Sequence, residues 1–400
     1  MKWTVLLIFS ITLASCGRGT EEVADSYDSD NFFVVDYESI LDNPEMVLLS
    51  DLASGIEYIK LETNDNCLLH PRADYQFTKD YIFVDNKKFI LQFDRQGNFI
   101  KQIGKYGRGP GEIGLIRILS VIDEEQLLVV HTNWARKLYF FNYDGEFVEN
   151  RKVDDVMNIV ARPGGQLILY DYCANGYEDY MFMLVNSQGD TTAVVKNHYK
   201  WENKTGGVMT VGYHLFYPFY FYGGDSYLKS MYNDTVYHAR GDSITPEYLV
   251  DLGGFKLPQD YRPEVPGSAF QENCKGYRFV NSFEARDKLF IASSDFSGGG
   301  RYNMIYDRRN AGGHFLVDED NFESEIINDI DGGLDFWPRA AANDSILFMP
   351  VPPHQFMSGE LEKRIRENDK TDPEQKAALL DMIADLSEND NPVLMLVYLK

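Results

Sequence analysis

Asp80-Tyr-Ile-Phe-Val-Asp-Asn-Lys-Lys-Phe-Ile-Leu-Gln-Phe-Asp-Arg-Gln-Gly-Asn-Phe-Ile-Lys-Gln-Ile-Gly104 alternates short β-rich runs with turn residues. It reads as a strand, a turn, a second strand, a tight turn at Asp94-Arg-Gln-Gly97, and a third strand. A glycine suits the last place of such a turn, where the backbone needs a positive φ. The pattern recurs downstream: Gln126-Leu-Leu-Val-Val130 leads to Lys137-Leu-Tyr-Phe-Phe-Asn-Tyr-Asp-Gly-Glu-Phe-Val148, and Gly97 and Gly145 lie 48 residues apart. Fainter copies start at Gln166-Leu-Ile-Leu-Tyr170 with Asn186-Ser-Gln-Gly189, at Tyr227 with Ala239-Arg-Gly-Asp242, and at Lys288 with Tyr302-Asn-Met-Ile-Tyr-Asp307. Ser345-Ile-Leu-Phe-Met349 begins a sixth. Units of this length with several strands each are the mark of propeller blades. The expected fold is therefore all-β, a six-bladed β-propeller. Six blades allow about 57 residues each and seven, the alternative count, about 49.

The ends of the chain read differently. Met1-Lys2-Trp3, an apolar run, and Leu13-Ala-Ser-Cys16 form a secretory signal peptide (residues 1–15) closed by a lipobox. Cys16 is then the first mature residue and the lipid-bearing one. Acyl chains on its sulfur and its amine would together give the stable anchoring that one chain does not. Residues 16–30 are polar, acidic and aperiodic, as a tether is. The propeller is expected over 31–400. A helical insertion at 358–388 interrupts it, where Asp372-Pro-Glu-Gln375 supplies an N-cap and a proline at the first helical position, and Leu379, Leu380, Ile383 and Leu386 form one stripe. The run 392–399 returns as a strand and is expected to close the ring against an N-terminal strand such as Tyr58-Ile-Lys-Leu61.

Phe93-Asp94, Gly97, Phe99, Ile103-Gly104 and Gly107-Arg-Gly-Pro-Gly-Glu112, taken with the lipobox and Asn391-Pro-Val-Leu394, resemble the NHL-like six-bladed β-propeller lipoproteins of gut-type Gram-negative bacteria. That resemblance implies fold and place: a cell-envelope protein held by lipid, at the outer membrane, on its periplasmic or surface face. It implies little about activity.

Composition excludes some partners. The formal net charge is -24, and removing residues 1–15, whose one charged side chain is Lys2, makes it -25. Nucleic acid gains nothing from so acidic a partner. Cys67, Cys173 and Cys274 remain after Cys16, with neither zinc-type spacing nor an even count. Gly109-Pro-Gly-Glu-Ile-Gly114 matches a dinucleotide fingerprint by letter, but Pro110 removes an amide and no βαβ unit follows. It reads instead as a loop between blades in which Arg108 and Glu112 can pair at a propeller entrance.

Seven histidines are scattered, none at the spacing of a helical zinc pair, and His131, at the end of an inner-strand candidate, is the best single ligand-binding candidate. Tyr170 and Asp171, closing the third unit's apolar run, join it. Asp329-Ile-Asp-Gly-Gly-Leu-Asp335 and Asp318-Glu-Asp-Asn321 offer oxygen ligands to a divalent cation such as calcium, without fitting an EF-hand loop. Tyr213-His-Leu-Phe-Tyr-Pro-Phe-Tyr-Phe-Tyr222 reads as packing between blades, or as a stacking platform for sugar rings. No nucleophile elbow and no cysteine–base pair is present. Two accounts of function follow: a binding module for a glycan, a peptide or an envelope-protein partner, and a metal-dependent lyase or hydrolase with its site in the channel. A scaffold within an outer-membrane complex is a third.

Overall fold

The computed structural model describes residues 32–109, 111–132, 137–153, 158–170, 178–198, 200, 218–230, 232–258, 274–297, 299–318 and 324–400. The repeated runs fold into six separate sheets arranged as blades, and the chain is a six-bladed β-propeller. Blade 1 is the antiparallel meander Asp74–Phe77, Tyr81–Asp85, Ile90–Asp94 and Phe99–Ile103. Blade 2 comprises Ile116–Ile122, Leu127–Thr132, Lys137–Asn142 and Phe147–Lys152. Blade 3 comprises Asn158–Arg162, Gln166–Tyr170, Tyr180–Val185 and Thr191–Lys196. Phe219–Tyr222, Asp225–Ser230, Asn233–Arg240 and Ser243–Asp251 build blade 4. Arg278–Ala285, Lys288–Asp295, Arg301–Asp307 and Gly312–Leu316 build blade 5.

Blade 6 joins the two ends of the chain. Its strands Ala340–Asn343, Ile346–Val351 and Val393–Leu399 are completed by Ala53–Lys60, with Leu394 opposite Ile59 and Met395 opposite Tyr58. The expected closure is the observed one. The same N-terminal stretch does more before it arrives. Phe33–Asp36 pairs in parallel with the outer strand of blade 4, and Pro44–Glu45 with that of blade 5. A short helix, Tyr37–Leu41, links them, capped by Asp36, whose carboxylate accepts from the Ser39 amide. The ring is thus belted from blade 4 to blade 6 by one segment, which covers three outer edges that would otherwise invite pairing.

Why the sequence showed some strands plainly follows from the stacking. A blade's second strand is covered on both faces by neighbouring blades, so Ile82, Phe83 and Val84 are all fully buried and the run is continuously apolar. Each of the six apolar starts in the sequence is such a second strand. The first strand of each meander is the innermost, since these strands meet one another across blade boundaries. His131 therefore ends a second strand, not an innermost one; the continuous apolar run that suggested an inner strand reflects burial between blades.

The turn Asp94-Arg-Gln-Gly97 is built as its residues dictate. Asp94 Oδ1 accepts from the amides of Gln96 and Asn98, and Gly97 sits at φ +88°. Gly97 also abuts the end of the N-terminal strand Ala53–Lys60: its carbonyl accepts from the Glu62 amide at 2.8 Å, and a Cβ there would lie 2.4 Å from the Lys60 carbonyl oxygen. Gly189 occupies the same turn place in blade 3 at φ +93° with open space around it. Gly189→Ala is expected to cost only the backbone strain, about 1–2 kcal/mol. Gly97→Ala adds the displacement of the end of Ala53–Lys60, a further ~1–3 kcal/mol, and urea midpoints of the two variants should separate accordingly.

In the insertion, Ser358 caps Gly359–Glu367 and Asp372 caps Pro373–Ala384, accepting from the amides of Glu374 and Gln375. Leu361, Ile365 and Leu379 bury against Ile326, Phe336, Trp337 and Phe356. The Arg364 guanidinium donates to the carbonyl of Gly332 at 2.9 Å, fixing the pair of helices to the connection between blades 5 and 6. Among the described residues no helix is long and apolar enough to cross a membrane.

Candidate functional site

The two faces of the ring differ in kind. On one, first and second strands are joined by tight turns such as Gly223-Gly224, Arg286-Asp287 and Asp344-Ser345. On the other, strands end and begin at the stretches 197–218, 252–277 and 317–339, of which residues 199, 201–217, 259–273 and 319–323 lie outside the described residues, and there too lie the connection 352–392 and the described part of the glycine-rich run 104–115. Short turns fix strand register, whereas long connections carried on a rigid scaffold are where recognition is usually built.

The tight-turn face is also drawn together. The Gly223 amide donates to Asp344 Oδ1 at 3.0 Å, linking blades 4 and 6 over blade 5, and the Arg286 amide donates to the Asp344 carbonyl at 3.0 Å. Nearby, blades 4 and 5 share an ionic cluster. Arg308 bridges Glu284 at 2.6 Å and Glu247 at 3.2 Å, and His238 lies 3.0 Å from Asp225 and 3.6 Å from Glu247. Burial pushes the Glu284 carboxyl up against the pull of Arg308. The hydrogen bond to Glu247 leads in raising the His238 imidazole. Tyr220, Tyr227 and His238 stack in one column, with ring centroids 4.7 Å apart at each step. The charged groups here pair with one another, and Glu284 Oε2 has no hydrogen bond among the described residues. The cluster reads as a clamp.

At the opposite, long-connection face, the ends of the inner strands carry a different set. Asp74, opening the inner strand of blade 1, pairs with Arg339 of the blade 6 connection and with Lys87 at 3.1 Å, and Lys87 also holds Asp85 at 3.0 Å. Burial lifts the Asp85 carboxyl to about 6 in spite of Lys87 beside it. On the seam between blades 2 and 3, Arg117 Nε donates to Asn158 Oδ1 at 2.7 Å. Beside them His131, 5% exposed, is held neutral: burial foremost, and then the Arg117 charge, press its imidazole down to about 4. His131 Nδ1 and Asn158 Nδ2, both buried, have no hydrogen-bond partner among the described residues. Thr132 Oγ1 shares that condition, but strand alternation turns it toward blade 1.

The other sequence candidates fall in different places. Arg108 is exposed on the glycine-rich loop, and Glu112 finds its ion pair in Lys105 at 3.1 Å, not in Arg108. The Glu112 carboxylate folds back to accept from the Gly109 amide at 2.8 Å, across a space that a Cβ on Gly107 would fill. Tyr170 is fully buried, stacked on Phe182 at 5.0 Å and edge-on to Phe219, so it is a core ring between blades 3 and 4. Asp171, Cys16, Cys173, residues 213–217 and residues 319–321 lie outside the described residues. Cys67 and Cys274 are buried free thiols. The calcium candidates are engaged internally: Asp329 by Ser50 and Lys370, Asp331 by Asn328, Tyr58 and the Gly333 amide, and Asp335 by Arg364 and the Asn328 amide. Sequence reasoning missed Arg117 and Asn158, which stand at the entrances of two successive inner strands. That equivalence was the available signal.

Neutrality of His131 makes a checkable statement. An unfolded imidazole titrates near 6.5 and the folded one near 4, so between these values the unfolded chain binds more protons. Stability present above pH 6.5 is then lost as the pH falls toward 4, by up to about 3 kcal/mol from this residue. Urea midpoints at pH 7 and 4.5 should show a smaller acid loss in His131→Gln than in wild type.

Fold and face together define a class: a closed six-bladed propeller with one tied face and one face of long connections around a polar seam. Within that class, the chain belongs to the family described as a domain of unknown function, DUF4934, which matches residues 32–398. None of the curated proteins matches this chain. In fold it is similar to the crystal structure of a protein named as exported from Bacteroides fragilis, with TM-score 0.68 and 17% identity over 92% of this chain and 99% of that one. A member of the DUF4221 family from Bacteroides vulgatus gives TM-score 0.48 and 12% identity over 87% and 97%. A protein of unknown function from Bacteroides caccae gives 0.38 and 12% over 63% and 84%.

Proposed function

We propose that this protein is an extracytoplasmic binding module, held to the cell envelope by lipid on Cys16, which recognises a glycan, peptide or envelope-protein partner on the face of long connections. The observation that carries the reading is the asymmetry of the two faces. The tight-turn face is tied by the Gly223–Asp344 bond, whereas the opposite face carries the ends of the long connections, the helical insertion and the buried polar seam of Arg117, His131 and Asn158. Rigid blades beneath variable connections are how scaffolds present recognition surfaces. The leader and lipobox, and an exported protein of similar fold, support the location.

Two measurements test it. Radiolabelled palmitate should enter the wild-type chain and not Cys16→Ser, and the variant should leave the membrane fraction. The full-length protein in detergent, screened against envelope glycans, peptides and envelope proteins, should retain at least one. Binding to none of them would sink the reading.

A further inference from the structure

The outer half of blade 4 holds a charge balance that depends on one proton. His238, on the third strand, lies between carboxylates from the strands on either side: its Nε2 is 3.0 Å from Asp225 at the start of the second strand, and its Nδ1 is 3.6 Å from Glu247 on the fourth. The ring lies flat on Tyr227, its plane 2° from parallel, which fixes the direction of both nitrogens. Glu247 also takes Arg308 of blade 5 at 3.2 Å, and Arg308 takes Glu284 at 2.6 Å. Exposed Arg240 approaches Asp225 at 3.6 Å, and buried Arg162 of blade 3 feels the charges of Asp225 and Asp242. Two ring nitrogens facing two carboxylates are satisfied only when both carry a proton, since a neutral imidazole donates from one and turns a lone pair to the other. The fourth strand so held is also the one that carries the belt: Phe33 stacks on Tyr248 at 5.1 Å and lies under the Arg308 guanidinium.

We infer that His238 is a proton-dependent latch: as an imidazolium it draws the second and fourth strands of blade 4 together through Asp225 and Glu247, and as a neutral ring it lets Ser243–Asp251 and the belt strand Phe33–Asp36 loosen. The latch stands apart from whatever the opposite face binds. On loss of the proton one carboxylate faces a lone pair, and Asp225 and Glu247 are left to repel each other across a half-buried ring. Glu247 foremost and then, against the cost of burial, Asp225 raise the imidazole above its ordinary 6.5. The stabilisation is therefore whole below pH 6.5 and is lost as the pH rises through the folded value. Of the other groups nearby, the guanidiniums keep their charge in this range, and burial raises the phenols of Tyr220 and Tyr227. Glu284, itself raised by burial, would shift stability in the same direction, and the variants below separate the two.

The test is hydrogen exchange of the full-length protein in detergent, read by mass spectrometry as protection factors at pH 6 and pH 9. In wild type, peptides covering 33–36 and 243–251 are expected to lose protection at pH 9 by about 3- to 10-fold, the worth of one partly buried ion pair, while Ile346–Val351 of blade 6 keeps its own. His238→Lys, charged at both values, should hold its protection at pH 9. His238→Gln, neutral at both, should show the lowered protection already at pH 6, and its flat profile decides alone if the lysine is not accommodated. No loss in wild type between the two values would overturn the latch. A loss that persists in His238→Gln would assign the titration to Glu284 and overturn it too, as would a loss shared by Ile346–Val351, which would make it a change of the whole ring.

Discussion

Ending the chain at Pro392 is expected to abolish the folded state, although only the last eight residues are removed. Val393–Leu399 is the third strand of blade 6, flanked on one side by Ile346–Val351 and on the other by the N-terminal strand Ala53–Lys60. Without it Ala53–Lys60 has nothing to pair with, and the ring opens. Val393, Leu394, Met395, Leu396 and Val397 are all fully buried. At about 1.5–3 kcal/mol for each such side chain, their burial is of order 10 kcal/mol. That is comparable with the whole stability of a domain, about 5–15 kcal/mol. Asn391, which the truncation retains, would be stranded: its amide donates to the carbonyls of Glu62 and Cys67 and accepts from the Leu69 amide, bonds that hold only while the closing strand fixes its position. Circular dichroism on heating should show a cooperative transition for the full chain and none for the truncated one. Leu396→Asp, which keeps the length, is expected to fail in the same way. A truncated chain with a native-like transition would mean that the ring holds without its closure.

The repeat was readable because its most regular parts are the most confined. Second strands such as Tyr81–Asp85 are apolar throughout since neighbouring blades cover both faces, and turns such as Asp94 to Gly97 carry their conformation in two residues. The closing strand and the cap at Asp372 were readable for similar reasons, since each depends on local chemistry. What escaped depends on contacts distant in sequence. The belt made by Phe33–Asp36 and Pro44–Glu45 pairs in parallel with strands more than two hundred residues away, and nothing in either short segment announces that. The inner strands Asp74–Phe77 and Ala340–Asn343 are too short to show alternation. The candidate site divides the same way. His131 stood out as a histidine on an apolar strand, but its significance comes from Arg117 and Asn158, which meet only across the gap between two blades. Spacing suggested Arg108 for Glu112, yet the bridge between Tyr106 and Ile113 folds the loop so that Lys105 reaches it. Tyr170 shows the limit from the other side: an aromatic at a strand end looks the same in sequence whether it is presented to a ligand or, as here, stacked on Phe182.

Arg308→Met should lower stability by about 3–5 kcal/mol near neutral pH, because it leaves a carboxylate buried without its counter-charge. Glu284 is fully buried on the inner strand of blade 5, and its ion-pair partner is Arg308, which also reaches Glu247 of blade 4 and lies over the Phe33 ring of the N-terminal belt. Methionine retains much of the packing on Phe33 and removes the charge, so the variant isolates the electrostatic part. The pH dependence follows from the direction in which Glu284 is displaced. Its carboxyl is raised above the ordinary 4.5 by burial even with Arg308 present, and removing the arginine takes away what holds it down. Between 4.5 and the raised value the folded variant binds more protons than the unfolded chain, so stability is fully present below pH 4.5 and lost as the pH rises through the folded value. The deficit against wild type should therefore be small at pH 4.5 and largest at pH 8, as read from denaturant midpoints at the two values. Glu284→Gln placed in the Arg308→Met background should recover most of the loss at pH 8 by removing the charge that had become unpaired. Equal deficits at both pH values, with no recovery from the second substitution, would assign the role of Arg308 to its packing against Phe33 and not to the clamp between blades 4 and 5.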